Sequence, residues 1–187
     1  MHLTDVDLIQ GCIRNEAACQ KEVFDRYASR LLGVCYRYAK NTADAEDILQ
    51  EAFIKIFDKI GQFKHEGSFE GWMRRIVVNT ALKKYSLIRY EKEQTGIENL
   101  EFPESHQEYD IHSDLSEKDI LQMINRLPDG YRLVFNLYVI EGYQHNEIAE
   151  MLGIQASTSR SQLVKARMML QKQIMDLEEK KMNVIVR

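Results

Sequence analysis

The 187-residue chain has little proline (Pro103 and Pro128 alone), three cysteines and a single tryptophan. So little proline leaves room for long uninterrupted helices. The cysteines, Cys12, Cys19 and Cys35, are odd in number and match no metal motif in their spacing. They read as small core side chains. The histidines at positions 2, 65, 106, 112 and 145 have no metal-ligand spacing either. HExxH, a phosphate-cradling glycine loop and a nucleophile elbow are all missing. No catalysis, metal or cofactor is expected. No apolar run approaches the roughly 20 residues of a membrane span. Residues 1–10 carry Asp5 and Asp7 and no basic cluster before an apolar core, unlike a signal peptide. A cytoplasmic protein without membrane insertion is expected.

The net charge is −4, but it is segregated. Residues 93–119 hold nine acids against one base, Lys118, for a local charge of −8 that leaves +4 on the remainder. Residues 64–92 and 155–187 each carry seven Lys/Arg against three acids. Two basic stretches flanking an acidic one suit a nucleic-acid binder better than the total does.

Apolar residues recur at helical spacing and alternating strand patterns are almost absent, so the fold reads as all-α. The acidic segment EKEQTGIENLEFPESHQEYDIH at 91–112 lacks a sustained apolar stripe. It divides the chain into two small helical domains joined by a flexible linker. The expected bounds are 1–90, a linker at 91–113, 114–178, and a tail at 179–187. The linker could imitate nucleic acid in a basic channel, or simply solvate a tether.

Caps mark the helices. Thr4 with Asp7 suits a first helix, Asn15 a second, Asn41 or Thr42 a third ended by Gly61, and Ser68 a fourth reaching about Ile88. The second should turn Phe24, Tyr27, Leu31, Cys35 and Tyr38 inward. In the second domain a helix from Ser116 to Arg126 precedes a Pro128–Asp129–Gly130 turn. A helix to Glu141, stopped by Gly142, follows, and then pieces at about 144–152 and 157–177.

The third helix, about 43–60, is the most periodic. Ala45, Ile48, Leu49, Ala52, Phe53, Ile56, Phe57 and Ile60 form its core stripe. Its far side carries Asp47, Gln50, Glu51, Ile54 and Asp58. An apolar Ile54 inside an acidic face is either an ordinary exposed residue or the anchor of a docking surface. The next helix bears Arg74, Arg75, Asn79, Lys83 and Lys84 after the loop GQFKHEG. Basic groups attract phosphates and Asn can bond base edges. Phe69, Trp72, Ile76 and Val77 read as core, whereas Phe63 is the aromatic expected to remain exposed.

The segment YQHNEIAEMLGIQASTSRSQLVKARMML at 143–170 has the spacing of a helix-turn-helix. Ala149 is small where two helices meet, Gly153 suits φ > 0 in the turn, and an apolar-striped basic helix follows. Leu163, Ala166 and Leu170 should face inward. Thr158, Arg160, Ser161, Gln162 and Lys165 are the candidates for DNA contact, with Arg suited to guanine and Gln to adenine. Ser159 falls where an apolar residue is usual, so it needs a hydrogen-bond partner, expected from the backbone. An ordinary helical hairpin is the plainer alternative.

DAEDILQEAFIKIF at 44–57, FEGWMRRIVVNTALKKY at 69–85, INRLPDGYRLVFNLYVIEGYQHNEIAEMLGI at 124–154 and STSRSQLVKAR at 157–167 together resemble the extracytoplasmic-function class of RNA polymerase sigma factors. The resemblance implies a region-two domain that docks on core RNA polymerase through Asp47, Gln50, Glu51 and Ile54. It implies that Phe63, Lys64, Arg74, Arg75, Asn79 and Lys83 meet the −10 promoter element. Thr158, Arg160, Ser161, Gln162 and Lys165 would read the −35 element. Promoter DNA, core polymerase and an anti-sigma factor are the partners it implies. Ser159 and Gln162 differ from the Val and Arg common in the class, which bears on the −35 sequence. The competing reading is a stand-alone helix-turn-helix regulator, which leaves helices 43–60 and 68–88 without a role. A protein-only adaptor fits the basic second helix poorly, and an enzyme fits least.

Overall fold

The computed structural model describes residues 3–95 and 117–185. It divides into two compact units, Met1–Glu91 and Lys92–Arg187. The described residues are helical, with no strand among them. Residues 96–116, which include most of the expected linker and the expected helix start at Ser116, lie outside the described set.

In the first unit, α1 (Asp5–Ile13) begins with a capping box. The Asp7 amide donates to Thr4 Oγ1 at 3.3 Å and the Thr4 amide donates to Asp7 Oδ2 at 3.0 Å. Asn15 does not cap α2 (Ala17–Tyr38). It takes φ +60° in the turn after α1, a conformation that Asn tolerates, and Glu16 stands at the N-cap. A Cβ on Gly11 would come within 2.2 Å of Cys19 Sγ, so this close passage of α1 and α2 requires glycine. Phe24 is 42% exposed rather than inward, and its ring rests on Phe53 at 4.7 Å. Val23, one position earlier, takes the buried place. All three cysteines are buried. Burial pushes the Cys12 thiol up to about 11 and Cys35 to about 12, so both stay protonated.

Asn41 caps α3 (Thr42–Lys59) by accepting from the Asp44 amide at 2.8 Å. The expected stripe of α3 is buried except for Phe57, which is half-buried. A short 3-10 turn, Ile60–Gln62, continues α3, so Gly61 is not a left-handed stop. Ser68 accepts from the Gly71 amide at 3.0 Å at the start of α4 (Phe69–Thr95). The helix therefore runs five residues into the segment expected to be linker. Leu8, Ile9, Leu31, Ile56, Met73 and Val77 form the centre of this core. Each such burial contributes about 1.5–3 kcal/mol relative to exposure.

The second unit contains α5 (Glu117–Asn125), α6 (Asp129–Phe135), a π-helical turn at Asn136–Ile140, α7 (His145–Leu152) and α8 (Ala156–Ile185). Pro128 is the N-cap of α6, so Asp129 and Gly130 are helical rather than part of the turn. Gly142 at φ +79° and Gly153 at φ +64° end the two helical stretches before α7 and α8. Residue 177 does not end α8, and most of the segment expected as a tail is helix. Leu133, Val134, Leu137, Ile148, Leu163 and Ala166 fill the core, and α8 packs on α6 and α7. Leu170, expected inward, is half-buried.

Candidate polymerase and DNA interfaces

The outward face of α3 carries Asp47, Gln50, Glu51 and Ile54, all exposed. Ile54, at 70%, is the most exposed large apolar side chain among the described residues. Two lysines brace this face from behind. Lys84 of α4 reaches Asp44 at 3.1 Å and Asp47 at 3.3 Å. Lys55 reaches Glu51 at 2.7 Å and also donates to the buried Thr80 hydroxyl at 3.2 Å. Burial alone would lower the Lys84 pKa, but its hydrogen bonds to Asp44 and Asp47 raise it instead. Asp44 and Asp47 are thus paired from α4, and Glu51 from within α3.

Loop 63–68 precedes α4. Its His65 and Gly67 both have positive φ, at +58° and +84°. Phe63 is only 9% exposed, which corrects the expectation of an exposed ring. Its ring meets His65 at 4.9 Å, Phe69 at 5.4 Å and Trp72 at 5.6 Å. This aromatic cluster buries Phe63 by folding the loop over it. A cleft of about 440 Å³ opens beside the loop, lined in part by Arg26, Tyr27, Arg30, His65 and Ser68. Lys64, Arg75, Asn79 and Lys83 are exposed, and the last three recur every four residues along α4. Arg74 is half-buried, and both it and Lys83 already interact within the protein.

On α8, Arg160, Ser161 and Lys165 are exposed and Thr158 is half-buried. Ser161 donates to the Thr158 carbonyl at 3.0 Å, and Lys165 Nζ lies 5.9 Å from the Tyr131 ring centre. Gln162 is placed differently from expectation. It is half-buried against α6, and a Cβ on Gly130 would stand 3.2 Å from its Nε2. It is therefore not fully outward, as expected of a base reader, but partly set against α6. Ser159 is fully buried, and its partner is the His145 ring, Nδ1 to Oγ 2.9 Å, rather than backbone. Sequence reasoning passed over Val164, 56% exposed one turn beyond Arg160 and Ser161. Counting at 100° per residue would have placed it on their face, and an apolar group there suits a thymine methyl.

The match to known proteins follows this division. Residues 23–89 match the model of Sigma-70 region 2, and residues 117–170 match that of Sigma-70, region 4. The chain is 31% identical to RNA polymerase sigma-H factor of Pseudomonas aeruginosa, across 84% of this chain and 89% of that protein. It is 32% identical to ECF RNA polymerase sigma factor SigW of Bacillus subtilis, across 83% and 89%. The solved structure of sigma factor RpoE from Bartonella quintana, in complex with the anti-sigma factor NepR, shares the fold. Its TM-score is 0.53 at 22% identity, covering 81% of this chain and 94% of that one. Both units are therefore sigma-70 parts in sigma-70 order. The chain belongs to the extracytoplasmic-function class of RNA polymerase sigma factors.

Proposed function

We propose that the first unit docks on core RNA polymerase and opens the −10 element, and that the second reads the −35 element. In this reading residues 1–90 act as region two and 114–178 as region four, and the work is binding in the cytosol rather than catalysis. The observation that carries it is Ile54, an exposed apolar side chain amid a braced acidic rim. An apolar centre with a charged rim is the usual anatomy of a docking patch. Asp47, Gln50, Glu51 and Ile54 are the contacts we assign to polymerase. The test is co-elution of the full chain with bacterial core polymerase, beside Ile54→Glu. The variant should lose about tenfold or more in affinity while melting like wild type. Equal co-elution of both would overturn the assignment. Tight, sequence-specific DNA binding without polymerase would favour a stand-alone regulator.

For the −10 element we assign Lys64, Arg75, Asn79 and Lys83 as contacts to the melted strand, with Phe63 and Arg74 supporting the loop from within. The cleft beside loop 63–68 is large enough to take one unstacked base, and binding there would offset a few kcal/mol of unstacking. Arg75→Ala or Asn79→Ala should weaken permanganate reactivity at the start site more than polymerase binding. Footprints equal to wild type would remove these two residues from the melting role. For the −35 element we assign Thr158, Arg160, Ser161 and Lys165, and leave Gln162 as a packing residue. Neither unit alone needs to bind tightly, because a shared polymerase holds both near one promoter. The Bartonella quintana relative was solved with an anti-sigma factor, and we infer a regulator of that kind for this chain.

A further inference from the structure

Ser159 sits in the first turn of α8, next to the exposed Arg160 and Ser161, yet is itself 0% exposed. Its amide already donates to the Gln155 carbonyl at 3.0 Å. Its hydroxyl instead meets His145 Nδ1 of α7 at 2.9 Å. The imidazole lies flat on Tyr138 of the π-helical turn, with centroids 4.4 Å apart and planes 17° apart. Two elements outside α8 therefore fix where one atom of its first turn must be.

An apolar contact here would hold α8 close while tolerating small rotations about its axis. A hydrogen bond is directional, and the half-buried His145 is the partner of a fully buried Ser159 hydroxyl that is costly to leave unpaired. Ser159 and Arg160 are consecutive, so any rotation of the helix that moves one moves the other. We propose that His145 and Ser159 form a positioning pair that sets the rotation of α8 and hence the aim of Arg160 and Ser161. Tyr138 holds the plane of the imidazole, and none of the three touches DNA. The inference rests on the reading of α8 as the −35 reader.

The test uses holoenzyme assembled from the full chain and core polymerase. A promoter library randomised over both elements yields the preferred −35 sequence. Affinity is then measured for that sequence and for a scrambled one. Ser159→Ala and His145→Ala should each reduce the ratio by about five- to tenfold, with binding to the scrambled site unchanged. The double variant should lose no more than either single one, as expected of two halves of one contact. His145→Asn, which keeps a polar atom near the place of Nδ1, should retain most of the ratio and controls for folding. Unchanged ratios in the alanine variants, additive losses, or an Asn variant as poor as alanine would each overturn the pair. A wild type with no −35 preference would overturn the parent reading and this inference together. A wild type with a clear preference and unaffected variants would overturn the pair alone.

Discussion

The first unit closes its core mostly with apolar and aromatic side chains, whereas the second builds an arginine, an asparagine and a serine into its own. Among the described residues, the first unit buries Thr80 and the rings of Tyr27 and Tyr38, the Tyr27 hydroxyl donating to Asp5 at 2.7 Å at the edge of the core. In the second, Arg132, Asn136 and Ser159 are all 3% exposed or less. Arg132 pairs with Asp129 at 3.1 Å and Ser159 with His145. Polar contacts are directional and sensitive to protonation; apolar contacts are neither. The first unit sets loop 63–68 and the outward face of α3 on a mostly apolar core. The second carries a helix whose setting depends on a few specific hydrogen bonds.

The comparison can be broken most sharply by emptying the apolar core. Ile56→Ala removes a side chain of 0% exposure and should destabilise the first unit by about 2–5 kcal/mol. Urea denaturation followed by Trp72 fluorescence reads this unit directly. A loss under about 1 kcal/mol would mean that the core is looser than its burial indicates.

A smaller effect should distinguish the second unit. Burial lowers the His145 pKa from its ordinary 6.5, and the nearby Arg160 and Arg167 charges lower it further. The unfolded chain then takes up a proton at a pH where the native state resists it. Stability is therefore full above about pH 6.5, falls as the pH drops below that value, and levels off beneath the native pKa. NMR-monitored urea titrations at pH 7.5 and 5.5 should show the second unit weakening. His145→Asn should abolish the difference. Persistence of the same pH dependence in that variant would assign it to another group.

The smallest effect concerns the lysine that pairs with the outward face of α3. Lys84→Met breaks exposed or partly exposed ion pairs with Asp44 and Asp47, which contribute about 0–1 kcal/mol. Stability should barely change and should lose some salt dependence. A loss of several kcal/mol would show that the brace is part of the core of the first unit.

Much of the outward face of α3 was legible in advance because α3 is a regular amphipathic helix. Placing its residues at 100° intervals separates Ile48, Leu49 and Ile56 from Asp47, Glu51 and Ile54 without any knowledge of neighbours. The Thr4 cap was legible for the same reason, and that of α3 to within one residue, Asn41 or Thr42, since a cap involves residues three apart. Phe63 was not legible, because an aromatic in a loop is buried or exposed according to whether Phe69 and Trp72 fold onto it. The partial burial of Gln162 was not legible, because its surroundings come from Gly130, in another helix. The partner of Ser159 lies 14 residues away, across a turn.

The amino-acid order by itself determined the all-helical character, the division into two units, the buried stripe of α3 and the left-handed turn at Gly153. These depend on interactions among residues a few positions apart, which the helical repeat and backbone sterics dictate locally. Only the tertiary structure decided that Phe63 turns in, that Gln162 lies against α6, and that Ser159 is satisfied by an imidazole. Those outcomes depend on which distant side chains share a space. That is settled by dense packing and by the need to pair every buried polar group, not by periodicity.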